Sequence, residues 1–178
     1  MEEGMTEELM KEETDIPSLN PGESALEAGT SGGDCRKSFL MLIADAFPGK
    51  HQDIRSYSAL ALAYIGDVVY DLVIRTMVVS QANRPVNDLH RITVRYVSAN
   101  AQSKIVQALQ DSFTEEEQSV YRRGKNAKPH TTAKNASLAD YLKATGFEAV
   151  LGYLYLTDQV ERLLYLVKTG ISLAGLSL

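Results

Sequence analysis

Two apolar segments that each contain an internal acid constrain this chain more than any other feature. Residues 59–71 read ALALAYIGDVVYD, an almost wholly apolar run interrupted by Gly66 and Asp67, and residues 146–156 read GFEAVLGYLYL around Glu148. Both runs have the composition of a buried helix. An ionised carboxylate in an apolar environment is very unfavourable unless it is paired, hydrogen-bonded or bound to a cation. The two acids therefore predict a metal site.

The hydrophobic periodicity predicts an all-α fold. Apolar residues recur at helical spacing, and no stretch alternates with a period of two over the length of a strand. Two local signals mark helix starts: Asn87 as a cap after Pro85, and Thr114 with Glu117 three residues later as a capping box. We expect helices at about 39–47, 56–80, 87–109, 114–123, 137–157 and 160–167.

Charge is distributed unevenly along the chain. At 178 residues with 44% hydrophobic content, there is material for one domain with a sizeable core. Residues 1–35 hold ten of the 23 acids and a single base, lack periodicity, and are expected to be a disordered tail. Residues 36–178 would form the domain, with 13 acids against 17 bases and a net charge of +4. The folded part is thus positive, which suits a nucleic-acid partner.

No signal directs the chain into an oxidising compartment or a membrane. Cys35 is the only cysteine, so no intrachain disulfide and no cysteine-based zinc site is possible. The N-terminus has neither a basic nor an apolar leader region. Residues 59–79 approach the length of a membrane span, but Asp67, Asp71 and Arg75 would be unfavourable at bilayer depth. We expect a cytoplasmic protein without a membrane partner.

Five segments of the chain follow one another in an order typical of one enzyme family. They read ALAYIGDVVYD, RPVNDLH, RYVSANAQ, TEEEQSVYRRGKNAK and ATGFEAVLGYLYL. The segments resemble the Mini-ribonuclease III family of short ribonuclease III-like enzymes, and the similarity covers about residues 56–168. The resemblance implies a homodimeric, helical ribonuclease III-like domain that cleaves double-stranded RNA with Mg²⁺. It also implies that Asp67 and Glu148 are the catalytic residues and the metal ligands.

The resemblance extends to positions where the short enzymes differ from full-length ribonuclease III. Leu60, Ala63 and Thr145 stand where the full-length enzyme has two glutamates and an aspartate. A site with fewer carboxylates must hold its metal with more water or with the RNA phosphate itself. The chain also ends at Leu178, soon after the last predicted helix. We therefore expect no separate double-stranded RNA-binding domain, and recognition of the substrate by the catalytic domain.

The chemistry of the two acids supports this activity independently of the resemblance to the family. Phosphodiester hydrolysis needs a nucleophilic water near neutral pH and a stabilised anionic transition state, and carboxylate-bound Mg²⁺ supplies both. Mg²⁺ often takes only one or two protein carboxylates. Each acid also has an ordinary alternative: Asp67 as a helical acid hydrogen-bonded to Tyr64, Tyr70 or a backbone group, and Glu148 as the ion-pair partner of Lys143 or Arg162.

Three further side chains have two interpretations each. Asp71 lies one turn after Asp67 and either faces the same site or solvates the helix. Asp140 is a weaker candidate of the same kind. By the resemblance, Tyr64 takes the place of an aromatic that packs the family's two-fold interface, although a core tyrosine would have the same sequence context.

A basic stretch lies between the fourth and fifth predicted helices. RRGKNAKPHTTAKN at 122–135 contains no acid, and Gly124 and Pro129 are expected to keep it out of a helix. Such a charge run is either a solvated loop or a surface for phosphates. In the family the corresponding loop is thought to insert against the RNA duplex, which is read mainly through phosphates and 2′-hydroxyls. The predicted RNA-binding residues are Arg122, Arg123, Lys125, Asn126, Lys128, Lys134 and Asn135.

These features together predict a homodimeric, Mg²⁺-dependent endoribonuclease. Two protomers on a two-fold axis present one site to each antiparallel strand of a duplex. By the resemblance, the substrate is the terminal stem of precursor 23S (large-subunit) ribosomal RNA, matured with help from a large-subunit ribosomal protein. The alternative is a non-catalytic RNA-binding or ribosome-assembly module with the same fold, which the missing acids at 60, 63 and 145 suggest and the retained Asp67 and Glu148 oppose. A helical protein-interaction module is a third interpretation, which the basic stretch disfavours.

Overall fold

Seven α-helices form the part of the chain that the structure describes. A computed structural model describes residues 37–50, 52–127 and 137–176. The helices are α1 (Phe39–Ala46), α2 (Ala59–Gln81), α3 (Val86–Val97), α4 (Ala99–Ala108), α5 (Glu115–Lys125), α6 (Leu138–Leu156) and α7 (Val160–Leu173). Short 3₁₀ turns lie at Ile54–Ser56 and Gln110–Ser112, and the described ranges contain no strand. The predicted all-α class is confirmed. The predicted tail at 1–35 lies outside the described residues.

Serine and threonine caps set the starts of five helices. The cap hydroxyl accepts a hydrogen bond from the backbone N–H three residues later in α1, α2, α4, α5 and α6. Thr114 and Glu117 form the predicted capping box at α5. The predicted cap at Asn87 is wrong. Helix α3 begins at Val86, because Pro85 takes the N-cap position and its φ of −52° suits entry into a helix.

The single helix predicted over 87–109 is in fact two helices. Ser98 ends α3 and begins α4, and its extended backbone (φ −63°, ψ 146°) turns the chain between them. A serine side chain competes with the helix for backbone groups, and the Ser98 hydroxyl here accepts from the Ala101 N–H. The apolar periodicity continues across this break, so the sequence pattern does not reveal it.

Helices α2 and α6 form the centre of the fold. Helix α6 packs most extensively on α2, and it also contacts α5 and α4. A Cβ on Gly66 would lie 1.8 Å from the carbonyl oxygen of Glu148, and one on Gly152 would lie 2.0 Å from the carbonyl oxygen of Leu62. Only glycine permits this backbone contact, so the two helices touch at reciprocal glycines. Although α2 has 23 residues, the described helices include none with the length and hydrophobicity that a membrane crossing requires.

A second glycine contact holds α5 against α6. A Cβ on Gly124 would lie 2.9 Å from the Gly146 Cα, and one on Gly146 would lie 2.7 Å from the Tyr121 ring. The prediction that Gly124 keeps residues 122–125 out of a helix is wrong. Helix α5 continues to Lys125, because the missing side chain of Gly124 is what lets α5 approach α6.

A buried ion pair joins α7 to α5. The Arg162 guanidinium donates to both carboxylate oxygens of Glu117 at 2.8 Å and to the Ser112 carbonyl oxygen at 2.6 Å. Glu117 is only 2% exposed, and among the described residues it is the one charged side chain in the buried set. Arg162 is thus the partner of Glu117, and the alternative prediction that it pairs with Glu148 is wrong.

Candidate active site

The contact between Gly66 and α6 brings Asp67 and Glu148 together. Asp67 directly follows the glycine that touches the Glu148 carbonyl oxygen. The Glu148 side chain is half-buried at this contact. Burial, and then the charge of Asp67, raises the pKa of Glu148 to about 7. The two carboxylates therefore interact electrostatically.

Asp67 is more accessible than the sequence predicts. Its segment has the composition of a buried helix, but the residue itself is exposed. Partial desolvation at the helix contact, and then the charge of Asp71, raises the pKa of Asp67. The prediction of two acids in apolar surroundings thus holds better for Glu148 than for Asp67. The site lies at an edge of the helix pair that solvent reaches.

Neither carboxylate has a cationic partner within the described residues. The ion pairs there join other side chains, and none includes Asp67, Glu148 or Lys143. Two like charges held side by side without a base are unfavourable unless a cation binds nearby. The described chain has no cluster of three or more His, Cys, Asp or Glu suited to a metal. A pair of carboxylate oxygens fits Mg²⁺, which completes its coordination with water or phosphate.

Gln102 of α4 is the polar neighbour that sequence reasoning missed. It is 2% exposed, and its Nε2 donates to Glu148 Oε1 at 3.0 Å and to the Val97 carbonyl oxygen at 3.2 Å. The signal was its position, one residue after Ala101 and three before Ile105, which places an amide among the apolar residues of a helix face. A buried amide needs hydrogen-bond partners, so such a position is a candidate for contact with another buried polar group.

Tyr70 lies beside Glu148 in the core. Its ring is fully buried and packs edge-on against Phe147, with ring centroids 5.7 Å apart. Its hydroxyl donates to the Tyr96 carbonyl oxygen at 3.1 Å. Burial, then Tyr96, then the charge of Glu148 raise the pKa of the Tyr70 hydroxyl, which reflects its proximity to that carboxylate. The alternative prediction that the Tyr70 hydroxyl donates a hydrogen bond to Asp67 is wrong, because this hydroxyl donates to the Tyr96 carbonyl oxygen.

Asp71 and Asp140 each have partners of their own. Asp71 accepts a hydrogen bond from Arg75 one turn later on α2. Asp140 accepts from the Ser137 hydroxyl at 2.7 Å and from the Ser103 hydroxyl at 2.7 Å. The bonds from Ser137 and Ser103 lower the pKa of Asp140. Asp140 thus fastens the start of α6 to α4, and Asp71 is paired with Arg75 on its own helix.

Most of the predicted basic surface lies at the C-terminal end of α5. Arg122, Arg123, Lys125 and Asn126 are exposed, and the first three are helical rather than part of a loop. Gly124 between them packs on Gly146 and Ala149, which flank Phe147 and Glu148. The basic end of α5 is therefore held beside the part of α6 that carries the candidate acid. The other predicted RNA-binding residues, Lys128, Lys134 and Asn135, lie outside the described residues.

Comparison with known proteins identifies the family. Residues 60–159 match the model of the ribonuclease III domain. The chain is 52% identical over 112 residues to the Mini-ribonuclease 3 of a Thermoanaerobacter species, which covers 63% of this chain and 79% of the relative. It is 47% identical over 126 residues to the Enterococcus faecalis Mini-ribonuclease 3, which covers 70% of this chain and 96% of the relative. The chain belongs to the Mini-ribonuclease 3 family.

A solved structure supports the same fold for this chain. The crystal structure of a Fusobacterium nucleatum protein aligns with a TM-score of 0.62 at 30% identity, covering 68% of this chain and 98% of that one. Membership of the family makes the chain an endoribonuclease. The family membership that the five sequence segments predict is therefore confirmed.

The three positions at which full-length ribonuclease III has acids are occupied here by uncharged residues, Leu60, Ala63 and Thr145. Ala63 and Thr145 are each 5% exposed, and Leu60 is half-buried. The Thr145 hydroxyl donates to the Tyr141 carbonyl oxygen at 3.1 Å, so it is satisfied within its own helix. These positions therefore add no carboxylate to the contact between α2 and α6.

Tyr64 belongs to an exposed apolar stripe on α2. Tyr64, Val68 and Leu72 follow at intervals of four residues and are 78%, 57% and 56% exposed. We call these three residues the α2 stripe. Large apolar side chains aligned on one helix face are unusual on the surface of a monomer. The alternative interpretation of Tyr64 as a core residue is wrong.

Proposed function

We propose that this chain hydrolyses double-stranded RNA in a Mg²⁺-dependent reaction, with Asp67 and Glu148 as metal ligands and catalytic residues. The observation that carries the proposal is the pair of interacting carboxylates at a glycine-mediated helix contact, without a basic partner among the described residues. Mg²⁺ commonly takes one or two carboxylates from a protein and leaves its other positions to water and substrate phosphate.

The two acids have different surroundings and would contribute differently. Asp67 is exposed and accessible to a phosphate of the substrate, whereas Glu148 is half-buried and hydrogen-bonded to Gln102. The buried Tyr70 ring packs on Phe147, and its hydroxyl feels the charge of Glu148, so this carboxylate borders the apolar core, where electrostatic interactions are stronger than in water. Bound Mg²⁺ would supply a water that is nucleophilic near neutral pH and would neutralise charge on the scissile phosphate.

Duplex recognition is assigned to the basic end of α5 and the residues that follow it. Arg122, Arg123 and Lys125 are exposed on the helix end that Gly124 fixes beside α6. Phosphates bound there would lie near the acids, which suits recognition of duplex RNA through its backbone and 2′-hydroxyls. Asn126, Lys128, Lys134 and Asn135 would extend the same surface.

A homodimer is proposed from the α2 stripe. A two-fold axis makes the same patch face itself, and an exposed apolar row that includes Tyr64 is suited to such an isologous contact. The stripe lies on the helix that also carries Asp67, so a dimer would hold two sites in a fixed relation to each other. Each site would then address one strand of the duplex.

The proposed cellular substrate is precursor 23S ribosomal RNA, matured at its ends in the cytoplasm with a large-subunit ribosomal protein as the proposed partner. The support is the relationship to proteins named Mini-ribonuclease 3, together with the positive charge of residues 36–178. The second candidate is a non-catalytic RNA-binding or ribosome-assembly module. Leu60, Ala63 and Thr145 favour it, because the site has fewer acids than the full-length enzyme is expected to have.

Cleavage of a duplex RNA with and without Mg²⁺ separates these candidates. We expect wild-type protein to cut only with Mg²⁺, and Asp67→Asn and Glu148→Gln to lose at least about 100-fold in rate because the amides are no longer anionic ligands. The double variant should be little worse than either single variant, since the two acids act as a unit. Asp71→Asn, the same change one turn later on α2, is the matched control and should keep near wild-type activity. Normal cutting by Asp67→Asn would rule out its role as a ligand.

A further inference from the structure

Gln102 is the only described side chain that donates a hydrogen bond to the Glu148 carboxylate. Its Nε2 contacts Glu148 Oε1 at 3.0 Å and the Val97 carbonyl oxygen at 3.2 Å. Both partners are acceptors, so the amide nitrogen must face them and the orientation of the amide is fixed. Because Val97 ends α3 and Gln102 lies on α4, the backbone at the α3–α4 junction holds the amide in place.

The other end of the same amide is left without a partner. Gln102 Oε1 is buried and accepts no hydrogen bond within the described chain. A buried unsatisfied oxygen is unfavourable, and a methionine or leucine would fill similar space without it. Stability alone therefore gives little reason for glutamine at this position. The contact with Glu148 does give one.

We propose that Gln102 is a positioning residue that prepares Glu148 for metal binding, an inference that rests on the proposed function. The hydrogen bond occupies Glu148 Oε1 and limits rotation of the carboxylate. Glu148 Oε2 accepts no hydrogen bond from the described residues, so it is the oxygen left for a cation. A partner of this kind orients a metal ligand without touching the metal, and its loss typically lowers metal affinity about 10- to 100-fold.

Binding of Mn²⁺ alone tests the proposal without RNA. Mn²⁺ prefers the same oxygen ligands as Mg²⁺, and the free ion is measured directly by electron paramagnetic resonance. Gln102→Met keeps the length of the side chain and removes the donor, and we expect its Kd for Mn²⁺ to rise about 10-fold or more. Gln107→Met is the matched control: it is the same change on α4, and the Gln107 amide donates to Ser103 rather than to the site. Its affinity should equal that of the wild type.

A second readout separates positioning from a merely structural role. If Gln102 acts through metal binding, cleavage at saturating RNA by Gln102→Met should recover towards the wild-type kcat as Mg²⁺ is raised. A loosened fold would instead lower kcat at every Mg²⁺ concentration and lower the melting temperature in metal-free buffer, and that result would overturn the proposal. If Gln102→Met does not fold, Gln102→Asn replaces it, because an amide one methylene shorter cannot span both partners. The same loss of Mn²⁺ affinity is expected.

Variants of the two acids distinguish failure of this proposal from failure of the proposed function. If Asp67→Asn and Glu148→Gln bind Mn²⁺ as the wild type does, the acids are not ligands and both proposals fall. If those variants lose Mn²⁺ while Gln102→Met and Gln102→Asn keep wild-type affinity, the proposed function stands and the role of Gln102 is rejected.

Discussion

Glu117 and Glu148 show how hydrogen bonding divides the acids of this chain into two kinds. Glu117 is almost fully buried, but Arg162 and the Thr114 backbone satisfy both of its oxygens. Glu148 is less buried, yet it receives one amide hydrogen bond and faces the charge of Asp67. Burial alone therefore does not mark a functional acid. The absence of a basic partner among the described residues is what distinguishes Glu148.

The Glu117–Arg162 pair predicts a specific loss of stability at low pH. Burial alone would raise the pKa of Glu117, but the hydrogen bonds from Arg162 and Thr114 outweigh it, and the pKa is lowered. A lowered pKa means that the stabilisation is complete above the unfolded value of about 4.3 and is lost as the pH falls below it. Glu117→Gln should lose about 3 kcal/mol at neutral pH, and its difference from wild type should shrink below about pH 4.

Denaturant unfolding at a series of pH values measures this difference. Glu115→Gln is the control, because Glu115 lies on the same helix and is exposed. It should change stability by less than about 0.5 kcal/mol at neutral pH. A constant difference between wild type and Glu117→Gln down to about pH 3 would contradict the lowered pKa.

The hydrogen-bond partners of single residues can be predicted from the sequence when the two residues lie close together along the chain. The Thr114–Glu117 capping box spans four residues and was predictable, since both halves of the signal lie in one window. The bond from Arg162 to Glu117 and the bond from Gln102 to Glu148 each join residues more than forty positions apart. Their formation depends on how helices pack, and a single sequence does not specify that.

At the scale of helices, the contact between α2 and α6 brings together Asp67 and Glu148, which lie far apart in the sequence. Gly66→Ala would place a Cβ 1.8 Å from the Glu148 carbonyl oxygen, and a backbone atom cannot move aside as a side chain can. Overpacking of this kind should destabilise by about 3 kcal/mol or more, despite the better helix propensity of alanine. We also expect a large loss of cleavage, because separating the helices moves Asp67 away from Glu148.

Chemical denaturation at fixed protein concentration, with a parallel cleavage assay, checks the effect of Gly66→Ala. Gly49→Ala is the control, since a Cβ built there has no neighbour within 4 Å beyond the adjoining residues of the chain. It should leave both stability and activity within error of wild type. If Gly66→Ala were equally silent, the close approach of α2 and α6 would not be needed for the site.

The periodic pattern predicted the long helices well and their interruptions poorly. The predictions at 56–80 and 137–157 match α2 and α6 to within a few residues, because apolar repetition over five or six turns is a strong signal. The break at Ser98 and the helical state of Gly124 follow from capping and from packing against α6. The apolar periodicity predicts a continuous helix through Ser98, and the low helix propensity of glycine predicts an end at Gly124.

At the scale of the whole molecule, the α2 stripe predicts that the chain self-associates. Tyr64→Glu would place a charge in a contact between two copies, where an unpaired charge is strongly unfavourable. Light scattering should give a mass about twice the 19.6 kDa of one chain for wild type and about one chain for Tyr64→Glu. Leu164→Glu, on an exposed apolar position of α7, is the control and should remain dimeric. A wild-type mass of one chain would reject the dimer.

The placement of charge across the molecule predicts that RNA binding and chemistry can be separated. Changing Arg122, Arg123, Lys125 and Lys128 to alanine should flatten the log-log salt dependence of duplex binding by up to about four units, one for each phosphate that is no longer neutralised. The acids at the contact of α2 and α6 are untouched, so cleavage at saturating RNA should survive and the defect should lie mainly in KM.

A variant with the same reduction of charge elsewhere tests whether the position of these bases matters. Lys37, Lys50, Arg55 and Lys168 are exposed and lie outside α5 and the following stretch. Changing these four to alanine lowers the net charge equally, so a purely global effect of charge would weaken binding to the same extent in both variants. We expect the control to keep most of the wild-type salt slope. Equal slopes for the two quadruple variants would instead move the RNA-binding surface away from α5, since bases beside Glu148 would then contribute no more than bases anywhere on the surface.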